Sequence, residues 1–237
     1  MELEQRERLG SVPDLGDVDV VDDLVPDELR RDILRLVRKP IWAYGWKSVK
    51  SEDRFSFWHA HFAGGDKESR QGCLAELAAN EAARPIHELW ECLSQTVLAG
   101  HEPLRVYANA HTYGVEGYVH TDNADKENYF TVVYYAHGIW HPNWSGETAF
   151  VVPETGDITH AVYPRPGRLV VFRGATPHVA RSPSRDCPEL RITVVFKTQL
   201  AQLPCPSPTC RSGPPCRCCR STCHSCALTR CRTRGER

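Results

Sequence analysis

His120-Thr121-Asp122, followed by His178 and then Arg191, carries residue types suited to one particular chemistry. Two imidazoles and one carboxylate form the ligand set that holds non-haem iron(II) with coordination positions left open. An arginine beyond the second histidine adds a planar, permanently charged fork that matches a carboxylate. An iron site beside an anion site suggests oxygen activation with a keto-acid co-substrate. The bare pair is weak. With 11 His and 13 Asp in 237 residues, chance alone supplies about 0.6 His-x-Asp pairs. A lone histidine is more often a surface or core residue than a ligand, and Arg191 alone could be a strand-edge charge or a surface salt-bridge partner. The surrounding elements carry the weight.

Gly117-Tyr118-Val119-His120-Thr121-Asp122 reads as a short strand. Side chains two apart on a strand share a face, so His120 and Asp122 can grip one metal. His178 follows the apolar run Arg168–Phe172, with the turn Ala175-Thr176-Pro177 between them. Arg191–Lys197 alternates cleanly: Arg191, Thr193, Val195 and Lys197 on one face, Ile192, Val194 and Phe196 on the other. Arg191 and Thr193 can therefore converge on one ligand, with Lys197 as the alternative carboxylate binder.

Further out, Val18–Leu24 reads as a strand. Pro26–Val37 reads as a helix with proline in its first turn and acids near its start. Residues 40–70 hold Trp42, Tyr44, Trp46, Phe55, Phe57, Trp58 and Phe62 among strands and loops, expected mainly as core packing. Residues 71–99 have helical spacing. From Pro103 the text changes to short β runs: 104–108, 118–122, 130–135, 147–152, 158–163, 168–172, 178–181 and 191–196. Eight strands with no helical period between them predict a mainly β fold with supporting helices, a double-stranded β-helix or jelly roll of cupin-like shape. The expected division is a helical and strand support region over 1–102, a catalytic core over 103–200 and a tail over 201–237. The loops 123–128 and 137–146 are placed to touch substrate. His137 and His141 flank Trp140 there in the expected lid; Trp140 and Trp144 are candidates for the entrance, with packing as the equal alternative. His160 is expected to face solvent or a neighbour.

Composition bounds the function. Charged residues at 25% and hydrophobic residues at 41% fit a soluble globular protein. No apolar leader or membrane-spanning run is evident, so a cytoplasmic location and no membrane partner are expected. The net charge of −1 hides an asymmetry, since residues 205–237 hold seven Arg and one Glu. The remainder is acidic, which argues against a nucleic-acid partner. Cys205, Cys210, Cys216, Cys218, Cys219, Cys223, Cys226 and Cys231, with His224, could bind zinc. Their irregular spacing and the absence of apolar residues favour a disordered, non-functional tail, or an out-of-frame extension.

Residues 103–199 resemble the iron(II)/2-oxoglutarate-dependent dioxygenases, in their prolyl-hydroxylase-like branch. The resembling text is Tyr107-Ala-Asn109, Gly117–Asp122, Thr131–Tyr135, Trp140, Ser145–Thr148, Pro166–Phe172, His178 and Arg191-Ile192-Thr193. The resemblance implies that His120, Asp122 and His178 hold iron and that Arg191 binds the distal carboxylate of 2-oxoglutarate. Tyr135 would hydroxyl-bond the same carboxylate, with Thr193, Tyr107 and Asn109 lining the pocket. It also implies dioxygen as oxidant, ascorbate as a candidate reductant, and hydroxylation of an amino acid, small metabolite or protein residue with release of succinate and carbon dioxide. One departure is the longer interval between His178 and Arg191, which a longer turn through Ser182–Pro188 would absorb. Retention of Asp122 favours hydroxylation over halogenation. The competing readings are a non-catalytic jelly-roll binding or sensor protein, and a different cupin-type metalloenzyme in which Arg191 holds a substrate acid.

Overall fold

The computed structural model describes residues 18–65 and 70–201. The expectations for the cysteine-rich tail beyond Ala201 lie outside the described residues. The element order is β1 (Val18–Val21), α1 (Asp27–Val37), β2 (Ala43–Trp46), β3 (Phe57–Gly64), α2 (Leu74–Ala79), α3 (Arg84–Ser94), β4 (His101–His111), β5 (Tyr129–Tyr135), β6 (Thr148–Val151), β7 (Ile158–Val162), β8 (Leu169–Arg173), β9 (His178–Ala180) and β10 (Arg191–Leu200). A seven-stranded antiparallel sheet runs β1-β8-β5-β10-β4-β3-β2, and a three-stranded sheet runs β7-β6-β9. The mainly β jelly roll expected from the strand spacing is the fold observed.

Strand parity divides the apolar residues into two cores. Val106 and Ala108 of β4, Val132 and Tyr134 of β5, and Val194 and Phe196 of β10 face the helices. They meet Ile33 of α1 and Ile86, Leu89, Trp90 and Leu93 of α3. The opposite parity, with Tyr107, Val133, Tyr135, Val170, Phe172 and Val195, meets Phe150 of β6 and Val162 of β7 between the two sheets. Both faces of the central strands are thus covered, which is why β5 is buried at every position.

α1 buries Leu29, Ile33, Leu36 and Val37, a spacing that keeps one stripe on the sheet. The helix expected over 71–99 is broken in two. Pro85 sits in the first turn of α3. It has no N–H and its ring clashes with a preceding turn, so the helix restarts there. The aromatic stretch 40–70 is only partly core: Phe57 and Phe62 are buried, while Tyr44, Phe55 and Trp58 are exposed. β2 is an edge strand, which leaves much of this aromatic surface without a covering layer.

The strand expected over 118–122 is reduced to one bridge, His120 to His178. Its remaining backbone groups are held by loops: the Tyr118 N–H donates to Asp53 Oδ1 at 3.0 Å, and the Asp122 N–H to the Gly174 carbonyl at 2.7 Å. Among the described residues, no helix is long and apolar enough to cross a membrane.

Candidate active site

The bridge between His120 and His178 does what a longer strand was expected to do. Each backbone N–H donates to the other residue's carbonyl at 3.0 Å, which sets the two imidazoles side by side. Their ring centroids lie 4.6 Å apart. The His120 Nδ1–H donates to the Tyr118 carbonyl at 2.9 Å, and the His178 Nδ1–H to the Thr176 carbonyl at 2.9 Å. A carbonyl only accepts, so both Nδ1 atoms carry the proton and both Nε2 lone pairs are free to bind a metal. Those atoms point at Asp122: His120 Nε2 is 3.6 Å from Oδ1 and His178 Nε2 is 3.5 Å from Oδ2. The ligand atoms of all three residues lie within 4.8 Å of one another.

Electrostatics complete the donor set. Burial alone would raise the Asp122 carboxyl, but Lys197, His178 and His120 outweigh it and hold the group well below the usual carboxylate range. Burial lowers His178 to about 4, so its imidazole is neutral at ordinary pH. Two imidazole nitrogens and one ionised oxygen converge here, a set that fits ferrous iron. The Thr131 hydroxyl donates to Asp122 Oδ2 at 2.7 Å and orients the carboxylate from behind. Lys197 Nζ donates to the Thr131 hydroxyl at 3.2 Å and pairs with the same Asp122 oxygen.

Arg191 lies at the other end of the inner face of β10, and only 1% of it is exposed. Its Nε donates to the Gly146 carbonyl at 2.5 Å and its Nη2 to Thr148 Oγ1 at 2.9 Å. The same threonine oxygen is 2.6 Å from the Tyr135 hydroxyl. The guanidinium carbon lies 5.6 Å from the Tyr135 ring centroid. Thr193 is registered opposite Tyr135 on β5 and Asn109 on β4. Arg191, Tyr135, Thr148 and Thr193 therefore form one polar cluster at the closed end of the sandwich. Tyr107 and Asn109 line the open cavity that also contains His120, Asp122, Trp46, Arg105 and Lys197. The Asn109 amide oxygen accepts from His59 Nδ1 at 2.9 Å.

Several expected site residues have other duties. His137 is no lid: its Nε2 accepts the Ile192 N–H at 2.9 Å and its Nδ1–H meets the Pro164 carbonyl at 3.2 Å. Trp140 is buried rather than at an entrance. It stacks on His137 with centroids 4.1 Å apart. Gly146 sits between the Trp140 ring and the Arg191 side chain. His141 accepts a backbone N–H from Asn143 and caps a short turn. His160 is on exposed β7, as its strand position suggested. Arg105, Trp46, Thr131 and Thr148 were not singled out from sequence. Arg105 was legible as a charge in an apolar strand, on the same parity as Tyr107 and Asn109. Nothing local marked the two threonines, because the partners they hold are distant in the chain.

Residues 108–196 match the family model of the 2OG-Fe(II) oxygenase superfamily. The jelly-roll core is similar to the 2OG-Fe(II) oxygenases over those residues. Among solved structures, this chain is similar to a prolyl hydroxylase from Trichoplax adhaerens in complex with a hypoxia inducible factor peptide fragment, at 15% identity and a TM-score of 0.55, covering 84% of this chain and 92% of that one. It is similar to a Pseudomonas putida prolyl-4-hydroxylase at 19% identity and a TM-score of 0.52, covering 78% and 93%. A third likeness is to SnoN, a non-haem alpha ketoglutarate dependent epimerase from nogalamycin biosynthesis, at 14% identity and a TM-score of 0.52, covering 83% and 84%. At these identities the likeness is one of fold. No curated protein matches the chain.

Proposed function

We propose that this oxygenase hydroxylates a small molecule or free amino acid, with iron(II) held by His120, Asp122 and His178 and 2-oxoglutarate held at its distal carboxylate by Arg191. The observation that carries the reading is the convergence of three ligand atoms within 4.8 Å on the same sheet face as the buried Arg191 cluster. Iron with 2-oxoglutarate would supply dioxygen activation, the keto acid leaving as succinate and carbon dioxide while one oxygen atom enters a substrate C–H bond.

The chain's own residues do the rest. The Tyr118 and Thr176 carbonyls fix which imidazole nitrogens face the ion. Thr131 holds Asp122 in orientation. Arg191 offers a guanidinium already desolvated, so a carboxylate placed there meets a charge that needs no further reorganisation. Burial lowers the Arg191 pKa, and an arginine remains charged even so. Tyr135 and Thr148 add hydroxyls beside it, and Thr193 completes the pocket. The apolar inter-sheet core, with Phe150, Phe172 and Val195, excludes water from that end. Ascorbate is the reductant we propose for idle turnover. We place the chemistry in the cytoplasm, where thiols such as the free Cys73, Cys92 and Cys187 stay reduced.

The deciding experiment is an anaerobic titration with iron(II) and 2-oxoglutarate, watching for a visible metal-to-ligand charge-transfer band. The band should appear in the native protein and be lost in both Asp122→Ala and Arg191→Ala. A folded, iron-loaded protein without the band would sink the reading.

A further inference from the structure

Among the described residues, Arg105 has no counter-ion. It is 8% exposed, and its Nε is enclosed without a hydrogen-bond partner. No hydrogen bond or ion pair joins its guanidinium to any described residue. Its guanidinium packs beside two aromatic rings: the guanidinium carbon lies 4.8 Å from the Trp46 ring centroid and 4.8 Å from that of Tyr107. A buried charge without hydrogen bonds is strongly disfavoured, so natural proteins rarely keep one without a use. This one lines the cavity that reaches His120 and Asp122.

Its neighbour sharpens the anomaly. Arg105 of β4 is registered opposite Lys197 of β10, so the two cations stand side by side on the inner face. Lys197 already has Asp122. Among the described residues lining this cavity, Asp122 is the one carboxylate, and in the proposed function it serves the metal. The Arg191 cluster is not part of the lining of this cavity. Arg191 is registered opposite His111, six residues along the same strand pair, a separation of about 20 Å.

We propose that Arg105 anchors the carboxylate of the substrate to be oxidised, so that the substrate is a small carboxylic acid, of the amino- or keto-acid class, seated between Trp46 and the metal ligands. This rests on the proposed function for what happens to the substrate, not for the anchor itself. The two rings lie 4.8 Å from the guanidinium carbon, and neither takes up its N–H donors. Those donors form a planar fork, which suits a planar carboxylate better than a tetrahedral phosphate. Lys197 adds a point charge beside it.

The test is calorimetric binding of N-acetylglycine, its neutral amide and inorganic phosphate to the metal-free protein and to the protein loaded with manganese(II) and 2-oxoglutarate. The acid should bind at least tenfold tighter than the amide, and Arg105→Gln should erase that difference while changing 2-oxoglutarate affinity less than twofold. Arg105→Lys should restore part of the preference. Arg105→Met should raise the melting temperature, because it removes an unpaired buried charge and keeps the volume; a purely structural arginine would lower it. Equal binding of acid and amide, tighter binding of phosphate, or loss of 2-oxoglutarate binding in Arg105→Gln would each overturn the assignment. If the native protein fails to bind 2-oxoglutarate yet keeps an Arg105-dependent preference for the acid, the proposed function fails and the anchor stands.

Discussion

Replacing Thr131 by valine removes the hydroxyl that donates to Asp122 at 2.7 Å while keeping the shape. The carboxylate then loses its orientation but not its charge. Thr131→Val should weaken metal affinity by about 10- to 100-fold, the usual effect of losing a partner that orients a ligand. Asp122→Ala should abolish stoichiometric binding. Isothermal titration with manganese(II) reads both, and equal affinities for native and Thr131→Val protein would show that Lys197 alone positions the carboxylate. The same comparison addresses Lys197, which the alternation of β10 singled out only as an alternative to Arg191. The fold uses both, at opposite ends of one strand.

At the scale of elements, the turn into β6 decides where Arg191 points. Ser145 and Gly146 both have positive φ, 53° and 85°. A Cβ on Gly146 would lie 3.1 Å from the Trp140 ring and 3.3 Å from Arg191 Cδ. Gly146→Ala should therefore cost about 1–2 kcal/mol from the left-handed backbone alone. It should also raise the Kd for 2-oxoglutarate by displacing the guanidinium; a destabilised variant with unchanged Kd would separate the turn from the pocket. A second element-level contact joins β10 to the helices. Phe196 is fully buried against Trp90 with ring centroids 5.7 Å apart. Phe196→Ala should cost about 3–5 kcal/mol in urea unfolding. Its neighbours Val195 and Lys197 face the opposite side, so the metal site of the surviving folded fraction should bind manganese(II) normally.

For the whole molecule, buried histidines set the response to acid. Burial holds His59 and His101 at about 4, and His111 and His137 at about 3. In the unfolded chain each titrates near 6.5, so the unfolded state takes up protons first as pH falls. Their effect on stability is absent above about pH 6.5 and grows as pH drops toward 4. Each contributes at most about 2 kcal/mol of loss at pH 5. Asp22 acts in a lower window. Hydrogen bonding from Arg168 holds its pKa down, so the stability it contributes is intact above about 3.8 and is lost only below it. Urea midpoints should fall steeply from pH 7.5 to 5, and His101→Gln should flatten that slope; an unchanged midpoint over this range would mean that these histidines open to water at little cost.

The alternation of β10, the helical stripe of α1 and the β runs from 129 to 200 were legible because each reflects a local period that a half-buried element must obey. So was the metal triad, since its three residue types announce one chemistry. The strand over 118–122 was misjudged for a physical reason: its partners, Asp53, Gly174 and His178, are remote in the chain, and they draw off the hydrogen bonds a strand would need. His137 and Trp140 read as lid residues because loop aromatics often touch ligands, yet tertiary packing turned them inward behind Arg191. Residue type and period determined the fold class, the three candidate metal ligands and the face on which Arg191 lies. Only the assembled sheets decided that Lys197 meets Asp122 and that Arg105 is buried with no counter-ion among the described residues, because these depend on which strands pair and in what register, and no local pattern specifies a long-range register.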